Sequence, residues 1–343
     1  MANVDTEMMH RALALARGVR RSTSPNPWVG CILRLADGRI VDGATHPPGG
    51  PHAEADAIAR AGGTAPGATA WVTLEPCAHH GRTPPCADAL VAAGVSRVVV
   101  GIEDPDPRVA GTGVARLRAA GVEVAVGVAA AEVTELLTSY LHHRRTGRPW
   151  VVLKLASTLD GRTAAPDGSS RWITGPAARA DVHRLRADSD AVMVGAGTVR
   201  TDDPELTVRN PDGTIDPAVR QPRRVVVGAA PAAARVRPAT EVRGPLPEVL
   251  DGLGASGVLQ LLVEGGPTLA GSLHRAGLVD RYVVYLAPGL FGGDDARPMF
   301  TGPGAPTIDA LWRGRLRDVV RLGDDVRLDI DPPVPTHCQE ARP

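Results

Sequence analysis

With 343 residues, the chain exceeds what one hydrophobic core usually serves, so two domains are expected. Its 38 Lys+Arg balance 38 Asp+Glu, which excludes a global electrostatic attraction to nucleic acid or to an anionic membrane. Four cysteines are too few for a disulfide framework, and no apolar run approaches the roughly 20 residues of a membrane helix.

Strand-like and helix-like segments alternate along the chain. The first half predicts a helix at about 5–18, strands at 28–35 and 39–45, a helix at 52–61, a strand at 69–74, a helix at 84–93, a strand at 97–102, a helix at 109–120, a strand at 122–127 and a helix at 130–143. The N-terminal segment has acids early and a short amphipathic pattern, not a basic stretch followed by an apolar one, so a cytoplasmic protein is expected. A polar stretch containing proline at 144–150 marks a boundary, giving expected domains at 1–146 and 147–331 with a loose tail at 332–343. The second half predicts strands at 151–156, 191–195, 224–228, 258–263, 281–286 and near 326–330, with helices at 176–187, 246–255 and 267–276. Residues 229–245, rich in Ala, Pro and Arg, read as a loop. Such alternation implies α/β sheets with helices on both faces.

One stretch carries chemistry. His52-Ala53-Glu54 is followed by Pro76-Cys77 and, after an intervening loop, by Cys86. One neutral imidazole and two thiolates suit Zn²⁺ in a tetrahedral site with the fourth position left for water. Zinc lowers the pKa of bound water from about 15.7 toward 7, and Glu54 is placed to carry the proton to the leaving ammonia. The pattern is a known signature of zinc-dependent deaminases. Because residues two apart diverge by roughly 200° on a helix, His52 is expected at a helix start. Cys86 is expected in the first turn of another helix, where a thiolate is favoured. The competing reading is a structural zinc site with His79 or His80 as fourth ligand; Glu54 argues against it, because a structural site needs no carboxylate there. Cys31 and Cys338 read as ordinary structural thiols. Eight residues separate Cys77 from Cys86, and this loop, rich in His and Arg, is expected to reach over the pocket toward a substrate phosphate.

With these residues in hand, the chain resembles the bifunctional riboflavin-biosynthesis deaminase/reductase family from about residue 7 to 330. The segments that carry the resemblance include Pro25-Asn26-Pro27-Trp28-Val29-Gly30, Pro51-His52-Ala53-Glu54, Thr73-Leu74-Glu75-Pro76-Cys77, Gly81-Arg82-Thr83-Pro84-Pro85-Cys86, Lys154-Leu155-Ala156-Ser157-Thr158-Leu159-Asp160-Gly161-Arg162 and Leu262-Val263-Glu264-Gly265-Gly266. The resemblance implies an N-terminal cytidine-deaminase-like α/β/α sandwich and a C-terminal dihydrofolate-reductase-like α/β domain. It also implies a phosphorylated pyrimidine substrate, a diaminopyrimidinone carrying a phosphoribosylamino group, which the first domain deaminates. The second domain then reduces the ribosyl unit to a ribityl chain with NADPH. By the same resemblance His52, Cys77 and Cys86 hold zinc, Glu54 shuttles protons, and Asn26, His79 and Arg82 touch the deaminase substrate. A homo-oligomer is expected, without nucleic-acid or membrane partners.

In the second half the run Glu264-Gly265-Gly266-Pro267 reads as a strand end, a glycine turn and a helix start, a junction that offers backbone N–H groups to a pyrophosphate. The resemblance assigns Ala156, Trp172, Thr198, Asp202, Gly266, Pro267, Thr268, Leu269, Ala270, Gly271 and Ser272 to the NADP site. It assigns Ser170, Arg186, Leu206, Arg209 and Glu264 to the substrate, with Arg186 and Arg209 suited to clamp phosphate. Lys154, amid apolar neighbours in a strand, reads as an active-site residue. Two departures stand out: the 229–245 segment is shorter than usual in the family, which puts adenosine-side contacts in question, and Asp106 stands where an Asn is usual. The alternative reading is a nucleoside deaminase with a non-catalytic C-terminal ligand-binding or dimerisation domain.

Overall fold

Two sheets organise the chain, one in each of two compact units, Met1–Arg148 and Pro149–Pro343. The computed structural model describes residues 2–78, 84–217 and 219–333. No helix among the described residues is long and apolar enough to cross a membrane.

The first unit runs α1 (Ala2–Thr23), β1 (Gly30–Arg34), β2 (Ile40–Ala44), α2 (Ala53–Arg60), β3 (Thr69–Leu74), α3 (Cys86–Ala92), β4 (Arg97–Ile102), α4 (Thr112–Ala119), β5 (Glu123–Val126), α5 (Ala130–Leu136) and α6 (Thr138–Thr146). Its sheet has the order β2-β1-β3-β4-β5, with β1 antiparallel to both neighbours and β3, β4 and β5 parallel. The unbroken Val98-Val99-Val100 run is fully buried, as a parallel strand covered on both faces requires. Two glycines show how closely the helices lie on opposite faces. A Cβ on Gly30 would meet the Ala12 carbonyl of α1 at 1.9 Å, and one on Gly43, whose partner in the register is Cys31, would meet the Ala53 carbonyl of α2 at 2.3 Å. Gly30 pairs with Ala44, so the two glycines point to different faces.

The second unit runs β6 (Trp150–Thr158), β7 (Arg162–Ala164), α7 (Pro176–Ala187), β8 (Ala191–Gly195), α8 (Ala196–Asp202), β9 (Arg223–Val227), β10 (Thr240–Val242), α9 (Leu246–Ala255), β11 (Gln260–Val263), α10 (Pro267–Arg275), β12 (Arg281–Ala287), β13 (Arg297–Pro298), β14 (Arg315–Leu322) and β15 (Asp325–Asp331). Its eight-stranded sheet has the order β10-β9-β8-β11-β6-β12-β15-β14. Six strands are parallel, and the β14–β15 hairpin closes one edge antiparallel. Period-two alternation splits the core. Val151, Leu153 and Leu155 face α9 and α10, whereas Val152 faces the side where α7 packs.

The observed elements depart from the sequence expectation in several places, among them the short β7–β13 pair, which was not expected. The helix expected at 130–143 is two helices, α5 and α6, that meet at Leu137. The loop expected at 229–245 contains β10, which pairs parallel with β9. The α8 turn was hidden because Gly, Thr and Asp dominate it, and β14 because most of its residues are exposed, so no apolar alternation marks it.

Two buried carboxylates tie the first unit together. Asp5 of α1 accepts hydrogen bonds from Trp71 Nε1 at 2.9 Å and from both terminal nitrogens of Arg97 at 2.8 and 2.9 Å, joining α1 to β3 and β4. Glu75, at the end of β3, accepts three backbone N–H groups, from Asp104 (3.1 Å), Gly111 (3.0 Å) and Val114 (3.0 Å). It thereby fixes the chain two residues before Cys77. Removing that carboxylate leaves three donors without a partner, two buried and the Gly111 N–H half-buried, at about 1–3 kcal/mol each. Glu75→Ala should therefore destabilise the first unit by at least about 3 kcal/mol in urea unfolding; a smaller loss would show that water replaces the carboxylate. The Arg97 hydrogen bonds, with that of Trp71, outweigh burial and hold the Asp5 carboxyl below its ordinary range. A depressed folded pKa stabilises above the unfolded value of about 3.9 and loses that contribution as pH falls. Asp5→Asn should cost roughly 1–3 kcal/mol at pH 7, with the deficit shrinking as pH drops through about 4. A deficit constant from neutral to acid pH would show that the charge of Asp5 contributes nothing.

Candidate functional sites

Three chain junctions converge in the first unit. A turn at 47–50, closed by the Gly50 N–H on the Pro47 carbonyl, leads into α2, and His52 is its extended N-cap. The imidazole therefore leaves from the helix end, as the residue spacing requires. Cys86 opens α3 after an extended Pro85. Cys77 follows β3, and its carbonyl accepts the Ala87 N–H at 3.1 Å while its sulfur accepts the Cys86 N–H at 3.4 Å. His52 Nδ1 lies 3.3 Å from Cys86 Sγ and 3.7 Å from Cys77 Sγ. The three ligand atoms fall within 4.8 Å of one another.

The electrostatics fit a cation at that point. A hydrogen bond from Cys86 is the main cause that brings the Cys77 thiol down to about 4, against burial and with help from His52. Cys86, the donor in that pair and deeply buried, is pushed up. With the two sulfurs and the imidazole nitrogen this close, a divalent ion at their centre lets both thiols ionise. Glu54, in the first turn of α2 and only 4% exposed, is raised to about 7 by burial and by the Cys77 charge. Among the described residues the donor set is one nitrogen and two sulfurs, which suits Zn²⁺ and leaves a coordination position for a small ligand.

Asn26 lies half-buried in the turn after α1, its N–H bonded to the Thr23 carbonyl at 2.9 Å. His79 and Arg82, and with them His80 and Cys338, lie outside the described residues. Cys31 is fully buried in β1 and is not among the three clustered ligands. Asp106 does something an Asn does only in part: its two oxygens receive Arg108 Nε (3.0 Å), an Arg108 terminal nitrogen (2.6 Å) and the Arg108 N–H (3.0 Å). Arg108 holds the Asp106 carboxyl down to about 2.

In the second unit a cleft of about 840 Å³ opens where β6, β8 and β11 end. Ligands of open α/β sheets bind outside the carboxyl ends of parallel strands. Its walls include Lys154, Ala156, Ser170, Trp172, Arg186, Thr198, Asp202, Leu206, Arg209, Glu264 and the run from Gly266 to Leu269. Ala270, Gly271 and Ser272 are absent from the walls. The physical reason is helical: past the first turn of α10 the face rotates inward, so Ala270 is fully buried in the core and Gly271 abuts the Thr301 carbonyl. The Gly266 N–H bonds Thr198 Oγ1 at 3.2 Å, bringing the starts of α8 and α10 together.

At the cleft floor Arg186 grips Glu264 with two hydrogen bonds, 2.6 and 3.0 Å, and its third nitrogen donates to the Thr207 carbonyl at 3.0 Å. The guanidinium expected to clamp phosphate is therefore already committed to a carboxylate. Burial raises Glu264, but Arg186 and Lys154 outweigh it and leave the carboxyl below its usual range. Burial lowers the Lys154 ammonium, with Glu264 opposing. Nearby, Leu206 is buried with φ of 56° and Asp203 has φ of 40°, left-handed backbone that costs about 1–3 kcal/mol in side-chain-bearing residues and is common at ligand sites. Sequence reasoning missed Arg171, Arg179 and Arg235 on these walls. Arg179 stacks 4.6 Å over the Trp172 ring, which is 70% exposed.

Comparison with known proteins agrees with this division. Residues 2–102 match the cytidine and deoxycytidylate deaminase zinc-binding region, and residues 149–328 match the RibD C-terminal domain. The riboflavin biosynthesis protein RibD of Escherichia coli (strain K12) is 42% identical over 364 residues, covering 95% of this chain and 99% of that protein. Its namesake from Mycobacterium tuberculosis (strain ATCC 25618 / H37Rv) is 45% identical over 338 residues, covering 94% and 96%. Among solved structures, Acinetobacter baumannii RibD (form 1) superposes with a TM-score of 0.91 at 40% identity, covering 97% of this chain and 100% of that one. A Thermotoga maritima diaminohydroxyphosphoribosylaminopyrimidine deaminase/5-amino-6-(5-phosphoribosylamino)uracil reductase superposes at 0.85 with 32% identity, covering 96% and 99%. With both halves matched in order and along almost their whole length, the chain belongs to the RibD family of riboflavin biosynthesis proteins.

Proposed function

We infer that the chain is a two-headed enzyme of riboflavin biosynthesis, a deaminase in its first unit and a reductase in its second. The observation that carries the reading is the His52–Cys77–Cys86 cluster with the buried Glu54 two residues from its histidine, followed in the same chain by a RibD-type reductase cleft. This combination favours reduction over a non-catalytic second half.

In the first unit His52, Cys77 and Cys86 would hold Zn²⁺, which when bound would make a water acidic enough to be a nucleophile near neutral pH. Hydrolytic deamination adds water to a ring carbon and releases ammonia, so one proton must travel from the water to the leaving amine. Glu54 is the carrier: its carboxylate takes the proton and returns it, and exclusion from solvent keeps the proton from bulk water. Asn26 offers both a donor and an acceptor to the pyrimidine edge. His79 and Arg82 complete the substrate contacts.

In the second unit NADPH, when bound, would supply the hydride for reduction of the sugar carbon. The start of α10 and Thr198 bind the dinucleotide, and Trp172, Asp202 and Ala156 line its site. Ser170, Leu206, Arg209 and the Arg186–Glu264 pair face the sugar substrate. A proton must accompany the hydride, and Lys154 Nζ, buried beside Glu264, is the donor. The protein acts on a small phosphorylated pyrimidine; a homo-oligomer in the cytoplasm completes the proposal.

The test is direct. Purified protein given the diaminopyrimidinone phosphate should release ammonia, and the deaminated product should then oxidise NADPH. Ammonia release from cytidine alone would overturn the substrate assignment. Glu54→Gln should retain stoichiometric zinc yet lose at least about a hundredfold in deamination; full activity would remove Glu54 from the mechanism. Metal removal with a chelator should abolish ammonia release and leave reduction of pre-deaminated substrate intact, with Zn²⁺ restoring the first. Lys154→Met should show the converse, normal deamination with reduction lowered by about a hundredfold or more.

A further inference from the structure

Of the 38 Lys and Arg residues in the chain only Lys154 is a lysine; every other is an arginine. An arginine keeps its proton throughout the pH range of a protein, whereas a lysine can release one where its surroundings weaken the charged form. The single exception lines the second unit's cleft. Among the described residues, the groups that act on its ammonium come from three elements. Burial weakens its hold on the proton, Glu264 after β11 opposes that loss, and Arg186 of α7 adds to it. The third element is β12, whose Tyr285 ring has its centroid 5.9 Å from Lys154 Nζ.

The sheet register puts that ring there. β6 and β12 run parallel, with Lys154 opposite Val283 and Ala156 opposite Tyr285. Residues two apart on a strand share a face, so Lys154, Val283 and Tyr285 all lie on the side where α7 packs. Tyr285 is fully buried, and its hydroxyl donates to Asp181 of α7 at 2.6 Å. The same Asp181 oxygen takes an Arg327 nitrogen at 2.8 Å, and the other two nitrogens of that guanidinium grip Asp329 of β15, each at 2.7 Å. The ring is therefore pinned through its hydroxyl by α7 and β15. Burial and the hydrogen bond to Asp181 push the phenol up, so Tyr285 keeps its proton and is no acid for the reaction. What it offers the ammonium is the negative face of its ring, which attracts a cation within about 6 Å and takes no proton from it. A second carboxylate in that place would bind the proton too tightly for release.

We propose that Tyr285 is a positioning residue for the reduction: its ring, pinned by Asp181 and Arg327, supports the Lys154 ammonium at the cleft floor. The inference rests on reading Lys154 as the proton donor. Glu264 and the ring face together keep the buried amine charged until the hydride is delivered, and the modest pull of the ring leaves the proton free to go. Attraction to the ring favours the charged form, so weakening the ring must lower the pH at which Lys154 loses its proton.

A lone lysine makes the test specific. The full chain, isotopically labelled at the lysine Cε, gives a single side-chain signal whose titration midpoint is read by NMR. The measurement is repeated on Tyr285→Phe and on the same position substituted with mono-, di- and trifluorinated phenylalanine, which keep the shape of the ring and drain its face in steps. The midpoint should fall with each added fluorine, by about half a unit in all. The alkaline limb of NADPH oxidation with deaminated substrate should move to lower pH with it. A tyrosine that only fills the core would change thermal stability without this graded shift. The proposal is overturned if the midpoint ignores fluorination, or if loss of the hydroxyl in Tyr285→Phe moves it further than the whole fluorine series does. A midpoint that follows the fluorines while the alkaline limb stays fixed would keep the ring contact and sink the proton-donor reading of Lys154 instead.

Discussion

The convergence of one imidazole nitrogen and two sulfurs at three chain junctions governs the first unit. Each of the three groups sits at the edge of an element: His52 caps α2, Cys77 follows β3 and Cys86 is the first residue of α3. Strand ends and helix starts are the places where side chains can turn toward a common point without breaking a backbone ladder. The Glu75 carboxylate serves this arrangement indirectly. By gathering the N–H groups of Asp104, Gly111 and Val114 it holds the end of β3, and so the direction in which the chain leaves toward Cys77.

The second unit meets a different constraint. It must keep Lys154, Arg186 and Glu264 together at the bottom of an open cleft, each of them largely withdrawn from solvent. Any one of these charges alone would be costly to bury. Together they leave one excess positive charge, and the Arg186–Glu264 pair fixes the geometry with two parallel hydrogen bonds. The result is a cationic floor suited to an anionic substrate, with a lysine whose proton is held less firmly than usual.

Much of this was legible in the sequence because it is local. The valine run 98–100 announces a doubly covered strand, and the Pro51–Glu54 and Pro76–Cys77 segments announce the metal ligands through residue type and order. What was illegible depends on distance along the chain. Arg186 and Glu264 are 78 residues apart, and no spacing rule connects them, so the ion pair at the cleft floor is not readable before the chain folds. The β14 strand escaped notice because its neighbour β15, not an apolar face, holds it in the sheet. Which face of α10 turns inward is equally hidden: Ala270 enters the core while Gly266 to Leu269 line the cleft, because successive helical residues point in different directions.

The closeness of Cys77 and Cys86 has a consequence for how the protein is handled in air. Two sulfurs kept this near to each other are prone to oxidation whenever nothing sits between them. Loading with the ion is then also a form of chemical shelter, and a preparation stripped of it would age toward an inactive, covalently locked first unit unless a reductant is kept present.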